Sequence, residues 1–158
     1  MSKSLGNVFL AKDFFSKYGA NAFRFLILNT GYNQTINLEE NLIIQANDYI
    51  EKIKNLVKRL RFYLHTRKIK LSKSNGSKKE GTENQKKVIE SLLENLNTVK
   101  VLYILERIIH LLNKNLDKNE NNEGLIDNIE DFFFTINILG FNFNLSNYSP
   151  KIKKLIGE

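Results

Sequence analysis

Residues 37–64 read NLEENLIIQANDYIEKIKNLVKRLRFYL, and this stretch decides the fold class. Apolar side chains recur at Leu42, Ala46, Tyr49, Ile53, Leu56, Leu60 and Tyr63. Steps of three or four residues put them on one helical face. Asn37 is a favourable N-cap, and Glu40 three residues later completes a capping-box pattern. Glu39 and Glu40 at the start, with Arg59 and Arg61 near the end, suit the helix dipole. The spacing predicts one long amphipathic helix over about 38–64.

Working outward, residues 72–82 (SKSNGSKKEGT) hold no apolar side chain and read as a flexible linker. A helix is predicted over 83–93, and Asn97 or Thr98 caps another over 99–113. Val101, Leu102, Leu105, Ile108, Ile109 and Leu112 form its inner face. Lys114 to Glu123 reads as a polar loop. A last helix over 125–139 ends at Gly140 as its C′ residue. Residues 141–158 read as irregular, with a short helix after Pro150. Upstream, residues 1–9 read as a loop, and Gly31 to Asn37 as a polar turn. Ala11–Tyr18 and Ala20–Leu28 form two short helices parted by Gly19. Several amphipathic helices with short connections imply an all-α antiparallel helical bundle.

The 158 residues carry no cysteine, which excludes disulfides and thiolate metal sites and suits a reducing, cytoplasmic setting. No apolar run reaches membrane-spanning length, and no apolar segment of a signal peptide follows the N-terminus. Net charge is +7, which favours a polyanionic partner. Eight cations (Lys52, Lys54, Lys58, Arg59, Arg61, Arg67, Lys68, Lys70) fall between 52 and 70 with no carboxylate among them. This run can meet nucleic-acid phosphates, and Phe62 or Tyr63 within it can stack on a base. A solvated face in a lysine-rich chain explains the same run equally well. His65 and His110 lack metal-ligand spacing, and no metal site is expected. Asp127, Glu130 and Asp131 read as a solvated helix face rather than an acid–base pair.

The most specific motif is Met1-Ser2-Lys3-Ser4-Leu5-Gly6-Asn7. It resembles the Lys-Met-Ser-Lys-Ser signature of class I aminoacyl-tRNA synthetases, without the first lysine. A mobile loop bearing a lysine can close on a triphosphate and offset charge on its migrating phosphates. The segment Asn21-Ala22-Phe23-Arg24 is similar to the Asp-Ala-Leu-Arg segment of the tRNA-docking domain of that class, with Asn21 for Asp and Phe23 for Leu. Two further stretches resemble the cysteine branch. Asn29 to Leu38 keeps Thr30, Tyr32 and Asn37 of a segment usually reading Ser-Thr-His-Tyr-Arg-Ser-Pro-Leu-Asn-Phe, with Gly31 and Asn33 replacing its His and Arg. Glu94 to Leu102 is similar to Asp-Asp-Phe-Asn-Thr-Pro-Lys-Ala-Leu. On these residues the chain resembles the cysteinyl-tRNA synthetase family over nearly its whole length.

The resemblance implies a piece of such an enzyme. Residues 1–36 would end the class I catalytic domain, and 37–158 would form an anticodon-binding-type bundle. Ser2, Lys3 and Ser4 would bind ATP, with Lys3 in the catalytic role. Arg24, Lys54, Lys58, Arg59 and Arg61 are the candidate tRNA contacts. For Arg24, structural pairing with a local carboxylate is the favoured alternative. The implied partners are tRNA(Cys) and the missing N-terminal catalytic half, with no membrane. Zinc is expected in the parent enzyme, but its ligands are not in this chain. The resemblance further implies that the isolated chain does not aminoacylate. Two other readings stay open: a stand-alone tRNA-binding helical module without catalysis, and a structural bundle that binds no nucleic acid.

Overall fold

The computed structural model describes residues 11–31, 33–36, 39–69, 71, 81–118 and 123–143. Every regular element among them is a helix: α1 (Ala11–Leu28), α2 (Glu40–Thr66), α3 (Glu83–Leu93), α4 (Thr98–Lys118) and α5 (Glu123–Ile138). The all-α expectation holds. The expected signature loop, the Asn37 cap, nearly all of the 72–82 linker and the helix after Pro150 lie outside the described residues.

The helices share one apolar core, which runs from Phe14, Ala22 and Leu26 of α1 through α2, α4 and α5 to Phe141. α1 packs mainly on α2, and α4 packs on both α3 and α5. Gly19 breaks α1 with φ 79° and ψ 163°, which separates the two short helices read from the sequence. A Cβ there would meet nothing within 4 Å, so backbone conformation alone favours glycine. Phe14 packs on Tyr18 and Phe23 at ring-centroid distances of 5.1 and 5.4 Å, bridging the break.

α2 buries Ile43, Ala46, Ile50, Ile53, Leu56, Val57 and Leu60. The stripe is therefore rotated from the one read in sequence. Leu42 is exposed, and Tyr49 and Tyr63 are only half-buried. Both stripes satisfy helical spacing, and contact with α1 and α4 selects between them. The helix also starts later than expected. Glu39 is the N-cap, with no side-chain cap bond, and Glu40 is the first helical residue rather than the third.

Asn97 caps α4, its side-chain oxygen accepting the Lys100 N–H at 3.0 Å. The polar loop expected from Lys114 is helical as far as Lys118. Leu116 packs on the core, while Arg59 reaches Asn113 and Asp117, so the outward polarity of this last turn concealed a helix. Gly140, with φ 74°, ends α5 as expected. The Phe141 N–H bonds to the Ile136 carbonyl at 2.9 Å and the Gly140 N–H to that of Asn137 at 2.9 Å, a Schellman pair.

Asp131 corrects the sequence reading. It is 2% exposed rather than on a solvated face. Its carboxylate accepts from the Thr82 hydroxyl, the Asn84 amide at 2.8 Å and the Gln85 amide at 3.0 Å. Thr82 also caps α3, accepting the Gln85 N–H at 3.2 Å. One carboxylate on α5 thus organises the start of α3, where negative charge is favoured.

Replacing Asp131 by Ala leaves three donors without their acceptor, and is expected to cost roughly 1–3 kcal/mol in urea denaturation. An unchanged midpoint would remove Asp131 from the determinants of the fold. Tyr49 gives a second test. Burial, with Glu106 adding to it, pushes its phenol well above the ordinary value of 10.0. Above that pH the unfolded chain releases a proton that the folded chain retains, so stability falls as pH rises past about 10. Tyr49→Phe should flatten this part of the stability–pH profile.

Candidate nucleic-acid interface

The basic run on α2 divides into two flanks. Residues 54, 58 and 61 are spaced i, i+4, i+7 and share one face, while 52 and 59 share another. Lys52 pairs with Glu106 of α4. Arg59 donates to Asn113 at 2.8 Å and to Asp117 at 2.7 Å, also on α4. These two cations reach across from α2 to α4 through exposed pairs, each of which contributes little by itself. Of the predicted contacts on α2, Lys54 and the half-buried Lys58 and Arg61 lie on the other flank.

That flank leads to a cleft of about 620 Å³ lined by Tyr18, Asn21 and Arg24 of α1, Glu51 and Lys54 of α2, and Gly140 and Asn142 beyond α5. Arg24 and Lys54, 30 positions apart in sequence, meet here. Arg24 lies against Gly140, where an added Cβ would stand 3.4 Å from its Nε. Among the described residues Arg24 makes no ion pair, so the expected pairing with a local carboxylate is not found there. Lys54 bonds to Glu51 at 2.7 Å, with both side chains more than 40% exposed. Exposed pairs of this kind contribute little, so an incoming phosphate can displace the carboxylate at small cost.

The cleft is closed by a contact that sequence reasoning missed. The Asn21 side-chain amide donates to the Asn142 carbonyl at 2.7 Å, and its oxygen accepts the Asn142 N–H at 3.1 Å. The partners stand 121 positions apart. The one signal was Asn21 itself, where the resembling segment has Asp. An aspartate cannot donate to the carbonyl.

Phe62 is 69% exposed and free to meet a base, whereas Tyr63 is half-buried beneath Arg67, whose guanidinium stands 4.8 Å from the ring centroid. His65 is exposed at the end of α2, and His110 points outward rather than into the bundle. Among the described residues no three His, Asp or Glu side chains come together as a metal site. No described helix is long and apolar enough to cross a membrane. Ser2, Lys3 and Ser4 lie outside the described residues.

Comparison with known proteins gives the class first. A family model described as the tRNA synthetases class I (C) catalytic domain matches residues 1–48. Among curated relatives, the Cysteine--tRNA ligase of Mycoplasma mycoides subsp. mycoides SC is 38% identical over 149 residues, covering 94% of this chain and 32% of that enzyme. The Cysteine--tRNA ligase of Mesoplasma florum is 32% identical over 148 residues, with the same two shares. That of Helicobacter pylori strain J99 is 31% identical over 144 residues, 90% of this chain and 28% of that enzyme. The chain is thus related to the class I tRNA synthetases. Within them it belongs with the cysteinyl-tRNA synthetases, as a piece spanning about a third of the length of the relatives it matches.

Asn21→Asp, which restores the residue of the resembling segment, is expected to destabilise the chain by about 1 kcal/mol through loss of one donor. It should also speed amide hydrogen exchange at residues 141–143. Unchanged exchange there would show that the clamp does not hold the chain beyond α5.

Proposed function

We propose that this chain is the tRNA-docking part of a cysteine–tRNA ligase, together with the loop that handles ATP. The assembled enzyme activates cysteine with ATP to an adenylate and transfers the cysteinyl group to the 3′ end of tRNA(Cys), in the cytoplasm. Residues 1–36 end the catalytic domain and 37–158 form the docking bundle. Ser2, Lys3 and Ser4 contact ATP, with Lys3 offsetting charge on the pyrophosphate as it leaves. Zinc, where the parent enzyme uses it, is held by residues outside this chain. Aminoacylation belongs to the assembly with the remaining catalytic half.

The observation that carries the docking role is the meeting of Arg24 and Lys54 in one cleft, continued by Lys58 and Arg61 along the same flank of α2. A row of cations about one helical turn apart matches a phosphate backbone better than a single charge does. Arg24 presents a planar fork suited to bidentate phosphate contact. Arg59 is set apart, because its bonds to Asn113 and Asp117 give it a structural task.

Binding of labelled tRNA(Cys) across a salt series tests this. Affinity should fall steeply with salt, and the combined Arg24→Ala, Lys54→Ala, Arg61→Ala variant should lower the log–log slope by roughly two to three. Arg59→Ala should leave that slope nearly unchanged, with at most a small loss of thermal stability. An unaltered slope in the triple variant would remove the cleft from the tRNA footprint.

A further inference from the structure

The α3–α4 hairpin carries large apolar side chains that stand exposed among the described residues. Leu93 is 81% exposed, Tyr103 72% and Leu96 63%, with Ile89 and Val99 near 45%. Residues 89 and 93 are one helical turn apart, as are 99 and 103, and residues 94–97 join the two rows. Large apolar side chains gathered in exposed positions on one hairpin suit an interaction site.

The hairpin is rigid where the apolar side chains emerge. Asn95 and Leu96 both adopt the left-handed conformation, with φ 54° and 51°. Leucine pays a steric cost there of about 1 kcal/mol. The turn is held by bonds from the Leu96 N–H to the Leu92 carbonyl at 3.1 Å and from the Asn97 N–H to the Ser91 carbonyl at 3.0 Å. Backbone strain combined with outward leucines favours contact with a partner over local packing.

The position of the patch identifies the occupant. The Thr98 hydroxyl, at the foot of the hairpin, donates to the Leu28 carbonyl at 2.7 Å. Leu28 ends α1 and lies within the 48 residues matched by the class I catalytic-domain model. Its neighbour Ile27 is 42% exposed. The hairpin therefore abuts the stretch that belongs to a catalytic domain, most of which the relatives carry elsewhere in their length. The charges beside the patch cancel, since Lys100 pairs with Glu94 at 3.1 Å. An apolar protein surface suits such a patch, and a polyanion does not.

We propose that the face formed by Ile27, Leu93, Leu96, Val99 and Tyr103 seats the remainder of the class I catalytic domain against the bundle. This rests on the reading of the chain as part of a synthetase but is independent of the tRNA cleft. The hairpin thereby sets the angle between the bundle and the catalytic centre.

The test co-expresses the chain with the part of the Mycoplasma mycoides enzyme's catalytic domain that lies outside its matched stretch. Complex formation is read by size exclusion and titration calorimetry. The variant Leu93→Lys, Leu96→Asp, Tyr103→Glu alters exposed positions only, and aspartate tolerates the left-handed conformation better than leucine. Its folding is checked by circular dichroism. The expected result is a one-to-one complex for the unaltered chain, weakened at least tenfold in the folded variant, with tRNA binding the same in both. A folded variant that binds the catalytic part as tightly as the unaltered chain overturns the proposal. So does absence of any complex, and so does a self-associated chain that the variant returns to monomer, which would assign the face to a second copy. Absence of tRNA binding by the unaltered chain, with its complex formed and weakened in the variant, would instead defeat the docking function and leave this interface standing.

Discussion

The candidate site depends on the two hydrogen bonds by which Asn21 grips the backbone of Asn142. They join the middle of α1 to the chain just past α5, and so bring the first and last described helices to the same cleft. The surrounding architecture supports this grip. Gly19 turns α1 so that position 21 opens a new helical segment. Gly140 takes the left-handed turn that carries Asn142 back over α1, and Arg24 fills the space a larger residue at 140 would need. A side chain that both donates and accepts is required, since a backbone offers one of each.

Charge on α2 is divided between two tasks by helical geometry. Lys52 and Arg59 reach carboxylates of α4, while Lys54 on the other flank lines the cleft with Arg24 of α1. A helix of 27 residues presents both flanks along its full length, so one basic run faces both α4 and the cleft. Asp131 applies the same economy to a buried carboxylate: one group satisfies three donors at the start of α3 and ties it to α5. Where the bundle leaves apolar side chains bare, at the α3–α4 hairpin, it does so on a backbone held stiff by its own bonds.

The helices were legible in the sequence because apolar spacing and punctuation agree there. The inner face of α4, the break at Gly19 and the stop at Gly140 follow from local rules about period and left-handed turns. Errors arose where two local solutions are equally good. On α2 the stripes through Leu42 and Ile43 differ by a small rotation, and packing partners decide between them. After Asn113 the polar composition suggested a loop, yet the last turn of α4 persists because Leu116 reaches the core.

By itself the sequence determined the helical class, the basic character of α2 and the resemblance to a synthetase, since composition, period and short motifs are properties of neighbouring residues. Tertiary structure alone decided which cations reach carboxylates of α4 and which line a cleft. It also buried Asp131 and gave Asn21 its partner. Those outcomes depend on which helices become neighbours, and contacts across 121 or 46 positions leave no periodic trace in the chain.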